Sequence, residues 1–470
     1  MQELNGEKRY IPPMVNQTGK PYPQKIAVIG AGPAGMTCAF FLAQKGYSVT
    51  IFEKSQKPGG MLTYGIPKFR LEKDVVEAEI DVLRQMGVQF QCGVEIGKDI
   101  TLDELRGQGY KAFYLAIGCQ GGRKADIPGE DANGVLTGVE FLHMANNDEV
   151  LALPGRTVVI GGGNVAVDVA RSSVRAESSA VSMFCLEDRE NMPAAGDEVA
   201  EAVEEGITIH NGWGPDKILT EDGNVKGIQF KKCIAVTDGK GHFNPQYDEN
   251  DCITVECENV LISIGQSIIW GNLLNESKVD LRIGNRVAAD PLTYQTAQPD
   301  IFAGGDVYTG PSFAIDAIAA GKEGAVSIHR FVHEGQSLTI GRNRREFIQL
   351  DKDSLEIPKE SYSSFLRQSP GHQADIDPRS TFDDIRIPFT EEQVKAETAR
   401  CLSCGASVVD FNRCIGCGVC TTKCEFDAIH LNRELPDASR MVKSEDKMKM
   451  ILPYALKRQI KIIRNKEKSI

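Results

Sequence analysis

At 470 residues the chain has room for about three domains of roughly 150 residues each, and its 41% hydrophobic content gives each a core. Lys and Arg total 53 against 65 Asp and Glu, a formal net charge of −12, so no chain-wide basic field holds a nucleic-acid backbone and nucleic acid is not an expected partner. No apolar run approaches the roughly 20 residues of a membrane-spanning helix, and residues 1–24 are polar with no hydrophobic signal segment, so the chain is expected to be cytoplasmic.

Apolar residues first gather over 25–30 (KIAVIG), a helical pattern follows over 33–45, and a second apolar run covers 48–53 (SVTIFE). Strand, helix and strand at this spacing form a βαβ unit. An amphipathic helix is expected over 74–86 and a buried strand over 112–118 (AFYLAIG). A second βαβ unit occupies 156–161 (RTVVIG), 164–175 and 180–186, followed by another buried strand over 259–265 (NVLISIG). The Ile-Gly endings at 117–118 and 264–265 mark expected chain crossings between two domains. From 335 to 389 periodicity gives way to Pro, Ser, Asp and Arg, an irregular segment crossing a surface. Thr390 then caps a helix with Glu391 and Glu392 in its first turn, running to Cys401. Residues 441–470 carry net +6, leaving −18 on the rest; this basic end is expected to be a solvated tail, with docking on an acidic partner or membrane surface as the alternative.

Both strand-to-helix turns are glycine-rich. Gly30-Ala31-Gly32-Pro33-Ala34-Gly35 is a G-x-G-x-x-G turn, with Glu53 and Lys54 at the end of the next strand, and Gly161-Gly162-Gly163-Asn164-Val165-Ala166 is G-x-G-x-x-A. The glycines let backbone approach a pyrophosphate, the helix N-terminus offers N–H donors, and the acid accepts from a ribose diol. Two such turns imply two dinucleotides, commonly a flavin and a nicotinamide, with hydride passing between them. Gly304-Gly305-Asp306, after a buried run, adds a carboxylate suited to a flavin's ribityl chain, a helix cap being the alternative.

Six of the 13 cysteines crowd into 401–424: Cys401-x2-Cys404, then Cys414-x2-Cys417-x2-Cys420-x3-Cys424. Thiolates at this spacing wrap an iron-sulfur cube, with zinc the alternative. In such runs three thiolates serve one cluster and the fourth another. Cys414, Cys417 and Cys420 therefore need a ligand such as Cys401 or Cys404, and Cys424 points to a second site. Six cysteines cannot supply eight thiolates, which leaves one [4Fe-4S] cluster with zinc or spare thiols, or a second cluster with an outside ligand.

Over 25–330 the chain resembles the glutamate synthase small (β) subunit family, within the two-dinucleotide-domain flavoproteins that include thioredoxin reductase. The resemblance is carried by KIAVIGAGPAG, PGGMLTYGIPKFRLEKDVVEAEI (58–80), GGGNVAVDVARSSVR (161–175), NMPAAGDEVAEAVEEGI (191–207) and DIFAGGDVYTGPSFAIDAIAAGKEGA (300–325). The run at 413–429 resembles a bacterial ferredoxin repeat, with Glu425 in place of the usual proline. These resemblances imply an α/β fold of two Rossmann-like, thioredoxin-reductase-like FAD and NAD domains plus a small C-terminal iron-sulfur domain. The expected division is a polar leader (1–24), an FAD-binding domain in two parts (25–150 and 266–334) around an NAD(P)-binding domain (151–265), an irregular linker (335–389), a ferredoxin-like domain (390–435) and a basic tail (436–470). By the resemblance, Gly30, Gly32, Gly35, Glu53, Gly60, Met61, Gly65, Arg70 and Asp306 hold FAD, and Gly161, Gly163, Asn164 and Val165 hold the nicotinamide dinucleotide.

The chain also departs from these families. Thioredoxin and glutathione reductases need a cysteine pair beside the flavin, yet no C-x2-C precedes residue 401. Cys252 and Cys257, five apart in the strand-like CITVEC, should face opposite ways, so disulfide reduction is not expected. The family's small subunits carry cluster cysteines near the N-terminus, where this chain has none, and no amidotransferase region is present, so glutamate synthesis is not assigned. Glu187 stands where a carboxylate accepts from the coenzyme's 2′- and 3′-hydroxyls and repels a 2′-phosphate, which favours NAD(H) over NADP(H); Arg189 is the residue that argues the other way. The leading expectation is an electron-transfer subunit of a hetero-oligomeric complex, moving electrons between NADH, FAD, a [4Fe-4S] cluster and a partner redox subunit or ferredoxin-like protein. No catalytic side chain is assigned, and no residue decides whether electrons are bifurcated. The alternatives are a stand-alone reductase of a small organic substrate and a non-catalytic scaffold.

Overall fold

The computed structural model describes residues 11–16, 19–147, 152–333, 335–342, 366–373, 375–400, 417–423 and 446–466. Lys25–Ile29 and Ser48–Glu53 are buried at every position after their first, as strands covered on both faces must be. They lie in a five-stranded parallel sheet ordered Ile301–Ala303, Tyr110–Leu115, Lys25–Ile29, Ser48–Glu53 and Gln89–Cys92. A second five-stranded parallel sheet repeats the plan in the order Val135–Thr137, Asn259–Ile262, Arg156–Ile160, Ala180–Cys185 and Thr208–Asn211. Gly121–Gly122 pairs antiparallel with Gln266–Ser267, so the two chain crossings between the sheets run side by side, just beyond the Ile-Gly endings.

Each parallel sheet buries both faces, with successive residues alternating between them. On one face of the first sheet Ile26, Val28, Ile51, Tyr114 and Phe302 meet Leu42 and Ile328 from flanking helices. On the other, Ala27, Ile29, Phe113 and Leu115 meet Leu105, Ile268 and Leu273. In the second sheet Val159, Met183 and Leu261 pack on Val167 and Ala170.

The opposite face of the second sheet is covered by a feature the sequence did not announce, an antiparallel sheet of Trp213–Glu221, Asn224–Thr237 and Phe243–Glu256. Its Ile218, Ile228 and Phe230 pack against Val158, Ile160, Phe184 and Val260. The outer part of these strands is exposed and polar, which hides the strand period. Within the stretch read as irregular, Gly371–His372 pairs with Arg386–Ile387 and Pro378–Ser380 makes a 3-10 turn. Described by itself, Lys447–Lys466 is a helix containing Pro453, with Ile451, Leu452, Leu456 and Ile460 exposed. Among the described residues no helix is long and apolar enough to cross a membrane.

Helices Pro33–Gln44 and Ala314–Phe331 pack closely because Gly321 lacks a side chain: a Cβ there would lie 2.4 Å from the Ala34 carbonyl oxygen and 3.0 Å from Cys38 N. Gly107, at the end of Leu102–Gly107, faces open space. Gly321→Ala is expected to lower unfolding free energy by about 1–3 kcal/mol through overpacking, while Gly107→Ala leaves it unchanged or raises it by up to about 1 kcal/mol. Urea unfolding of the two variants tests the pair.

Candidate dinucleotide-binding clefts

Gly30 turns the chain with φ +105°, and a Cβ on it would lie 2.4 Å from the Ala116 carbonyl oxygen. Gly35 closes against the turn, its would-be Cβ 2.0 Å from the Gly30 oxygen. Gly32, the N-cap of Pro33–Gln44, faces open space, makes no side-chain cap and is followed by no acid in the first turn. These unsatisfied N–H groups and the positive helix end suit a phosphate.

Glu53 is 3% exposed, and its carboxylate accepts from Ala31 N and Ser55 N, each at 2.8 Å. Glu53 and Lys54 line a small pocket with Gly30, Phe52 and Trp270. This pocket shares Ile117 and Gln120 with a cleft of about 280 Å³ lined by Gly32, Pro33, Ala34, Gly60, Met61, Gly65, Gly305 and Asp306. Gly305, at φ +75°, would place a Cβ 2.8 Å from that of Ala34. Burial, reinforced by Asp316 and opposed by the Ser312 N–H, pushes the Asp306 carboxyl up to about 6. Asn164, Val165 and Asp168 from the second βαβ unit line the same cleft, so both glycine turns meet in one cavity.

The second turn repeats the first. Gly161 has φ +142° and a would-be Cβ 2.4 Å from the Ser263 carbonyl oxygen, while Gly163 is an N-cap facing open space with no acid in the first turn. It opens into a cleft of about 780 Å³ that also includes Glu187 and Ser263. The Ser263 hydroxyl is buried without a partner, and the Asn164 side-chain oxygen accepts from Ala195 N at 2.8 Å. Glu187 Oε2 would lie 2.9 Å from a Cβ on Gly162, whereas Arg189 is exposed and is not among the cleft's lining residues. Both clefts thus fit dinucleotides by their open N-caps. Trp213, Phe243 and Tyr247 of the antiparallel sheet wall the second cleft; no sequence period flagged them, because each depends on how that sheet folds back.

Arg70 departs from its expected place on the flavin. Its Nη1 donates to both oxygens of Asp168 at 2.8 and 2.7 Å and its Nη2 to Glu198, and it lines a different cavity. Burial lifts Asp168 to about 6 although Arg70 pulls it down. The histidines have structural surroundings: His143 stacks on Tyr64, His210 on Phe184, and His329 Nδ1 lies 2.7 Å from the Tyr47 hydroxyl. Cys417 precedes the short helix Val419–Lys423 and Cys420 lies within it, both exposed; Cys401, Cys404, Cys414 and Cys424 lie outside the described residues. Among the described residues no group of three or more His, Cys, Asp or Glu is arranged around a metal position.

Residues 24–321 match the pyridine nucleotide-disulphide oxidoreductase family and 407–430 a 4Fe-4S binding domain. The chain belongs to the pyridine nucleotide-disulphide oxidoreductase family. By class it is a pyridine nucleotide-linked oxidoreductase that also carries a 4Fe-4S binding domain. It is 33% identical over 388 residues to the NADP(+)-dependent formate dehydrogenase subunit beta of Moorella thermoacetica, covering 81% of this chain and 54% of that subunit. It is 33% identical over 334 residues to the Escherichia coli glutamate synthase [NADPH] small chain, covering 67% and 69%. The chain thus spans about half of the first relative's length. The thioredoxin reductase of Lactococcus lactis shares the fold, with a TM-score of 0.51 at 21% identity over 66% of this chain and 99% of that one.

Outside the tail, Cys119, Cys252 and Cys257 have contrasting surroundings. Cys119 donates to the Asp306 carbonyl at 3.5 Å, and burial pushes its thiol up to about 12, far from a reactive thiolate. Cys252 is exposed and Cys257 fully buried, both free. An aromatic disulfide reagent is expected to label Cys252 in the native protein at least a hundredfold faster than Cys257, with equal labelling after denaturation; peptide mapping measures both.

Proposed function

We propose that the chain is the electron-transfer subunit of a hetero-oligomeric oxidoreductase, exchanging electrons between a nicotinamide dinucleotide, FAD, a [4Fe-4S] cluster and a partner redox protein. The observation that carries this reading is the cleft lined by Gly32 and Asp306 from the region of the first parallel sheet and by Asn164 and Val165 from that of the second. Dinucleotides seated on the two turns would both reach this cleft. Bound FAD supplies the conversion of two-electron hydride traffic into one-electron steps.

The chain supplies position and exclusion. The open N-caps at Gly32 and Gly163 would hold pyrophosphates, Glu53 fixes the first turn and would meet an adenosine ribose, and Asp306 would hold the ribityl chain. Hydride exchange needs the nicotinamide and flavin at near-attack distance rather than an acid-base side chain. Four of the six tail cysteines would hold a cluster, Cys414, Cys417 and Cys420 together with Cys401 or Cys404, and Cys424 would serve a second site. The subunit names of the two relatives support an assembly with other chains.

At the coenzyme's ribose, Glu187 argues for NAD(H), because a carboxylate accepts from hydroxyls and repels a 2′-phosphate. The two relatives' names carry NADP(H), so coenzyme choice is the first quantity to measure. In an anaerobic titration NADH is expected to bleach the flavin and then raise the reduced-cluster signal, with NADPH much weaker. Glu187→Gln should improve the NADPH half-saturation on the order of tenfold, about 1.4 kcal/mol, and worsen that for NADH. Strict NADPH use by the wild type overturns the role of Glu187; bound flavin that neither coenzyme reduces favours a scaffold. Glu53→Ala strands two backbone N–H groups, at about 1–3 kcal/mol each if they stay unsatisfied, and is expected to yield protein that loses FAD on gel filtration, read from its visible absorbance.

A further inference from the structure

The segment just before the cysteine-rich tail returns to the seam between the two dinucleotide-binding domains. Lys68, Phe69 and Arg70 project from the first domain, and the helices Asn164–Arg175 and Gly196–Glu204 face them from the second. Phe69 is 5% exposed, with the guanidinium groups of Arg171 and Arg175 over its ring at 4.8 and 4.0 Å. Arg70 clamps Asp168 with Nη1 and Glu198 with Nη2. Residues 381–386 contact both sides: Asp383 pairs with Lys68 at 2.7 Å, Arg386 donates to the Arg70 carbonyl at 3.4 Å, and the Thr381 carbonyl accepts from Arg175 Nε at 2.9 Å.

A partly buried ion pair contributes little net stability once desolvation is counted, so its value here lies in geometry. Here the geometry reaches the reaction cleft. Asp168 follows Asn164 by four residues on the same helix, which places them on one face, and both line the cleft where the glycine turns meet. Pulling on Asp168 therefore pulls on the second turn.

Resting on the reading that hydride passes between nicotinamide and flavin in that cleft, we propose that Arg70 is a positioning residue: with the 381–386 strap it forms a clasp that fixes the angle between the dinucleotide-binding domains, and hence the approach of nicotinamide to flavin. Its contribution is orientation; FAD binding and coenzyme affinity belong to the turns.

The test uses the full chain with FAD bound, in anaerobic stopped flow against the coenzyme that reduces the wild type. Arg70→Gln and Asp168→Asn are each expected to slow limiting flavin reduction at least tenfold, while FAD stoichiometry and coenzyme half-saturation stay within about threefold. The double variant should be no slower than the slower single, because both remove one contact. Arg70→Lys, which keeps the charge but loses the fork, should restore only part of the rate. Asp383→Asn, at the exposed strap contact, should slow reduction a few-fold and serves if the Arg70 variants fold poorly. Hydrogen exchange is read in parallel at the crossings 118–122 and 264–267, and the clasp predicts faster exchange there in Arg70→Gln.

Loss of FAD from folded Arg70→Gln overturns the proposal and returns Arg70 to the flavin. Unchanged reduction rates in Arg70→Gln, or losses that multiply in the double variant, overturn it as well. If the wild-type flavin is not reduced by either coenzyme, the functional reading fails by itself. Exchange at the crossings then decides the clasp: faster exchange in Arg70→Gln upholds the domain lock, and unchanged exchange removes it.

Discussion

The fold depends on one close approach made twice. The first glycine of each turn sits against a carbonyl at the end of the neighbouring strand, Gly30 against Ala116 and Gly161 against Ser263, where a Cβ would lie 2.4 Å from oxygen in both cases. Both glycines also have positive φ, a conformation L side chains rarely adopt. The contacted carbonyls stand just before the points where the chain leaves one domain for the other. The same contact thus brings the turn under the strand ends and sets where the crossings begin, and the paired crossings follow from it.

Charge is arranged around these turns with equal economy. The two helices that start at them carry no acid in their first turns, although the chain as a whole is acidic, so their N–H groups and positive ends stay available to phosphate. Carboxylates appear one step away instead. Glu53 is bound to the backbone of the first turn, Glu187 lies beside Gly162, and Asp306 starts a short helix across the cleft. Burial raises Asp306 above an ordinary carboxyl, which suits a group that meets hydroxyls rather than cations.

Between the domains the polar contacts have a different character. Arg70, Asp168 and Glu198 bridge the seam, and Arg171 and Arg175 hold the buried Glu205 while covering Phe69. The strap at 381–386 adds contacts to both sides. Ion pairs of this kind are weak as stabilisers and strong as directional constraints. That is the property a seam between two dinucleotide-binding domains requires.

Much of this architecture is written locally. The βαβ runs, both glycine turns and the chain crossings were legible because strand burial, turn conformation and helix start are short-range properties of a few residues. So were the opposite environments of Cys252 and Cys257, which follow from the two-residue strand period. The spacing of the tail cysteines matches a 4Fe-4S binding domain over 407–430, and four of the six lie outside the described residues. The antiparallel sheet that walls the second cleft was not legible, since its strands are half exposed and owe their place to packing on Val158, Ile160 and Phe184. Nor was the partner of Arg70: a guanidinium can clamp a phosphate or a carboxylate equally well, and only the tertiary structure brings Asp168, 98 residues later in the chain, within its reach.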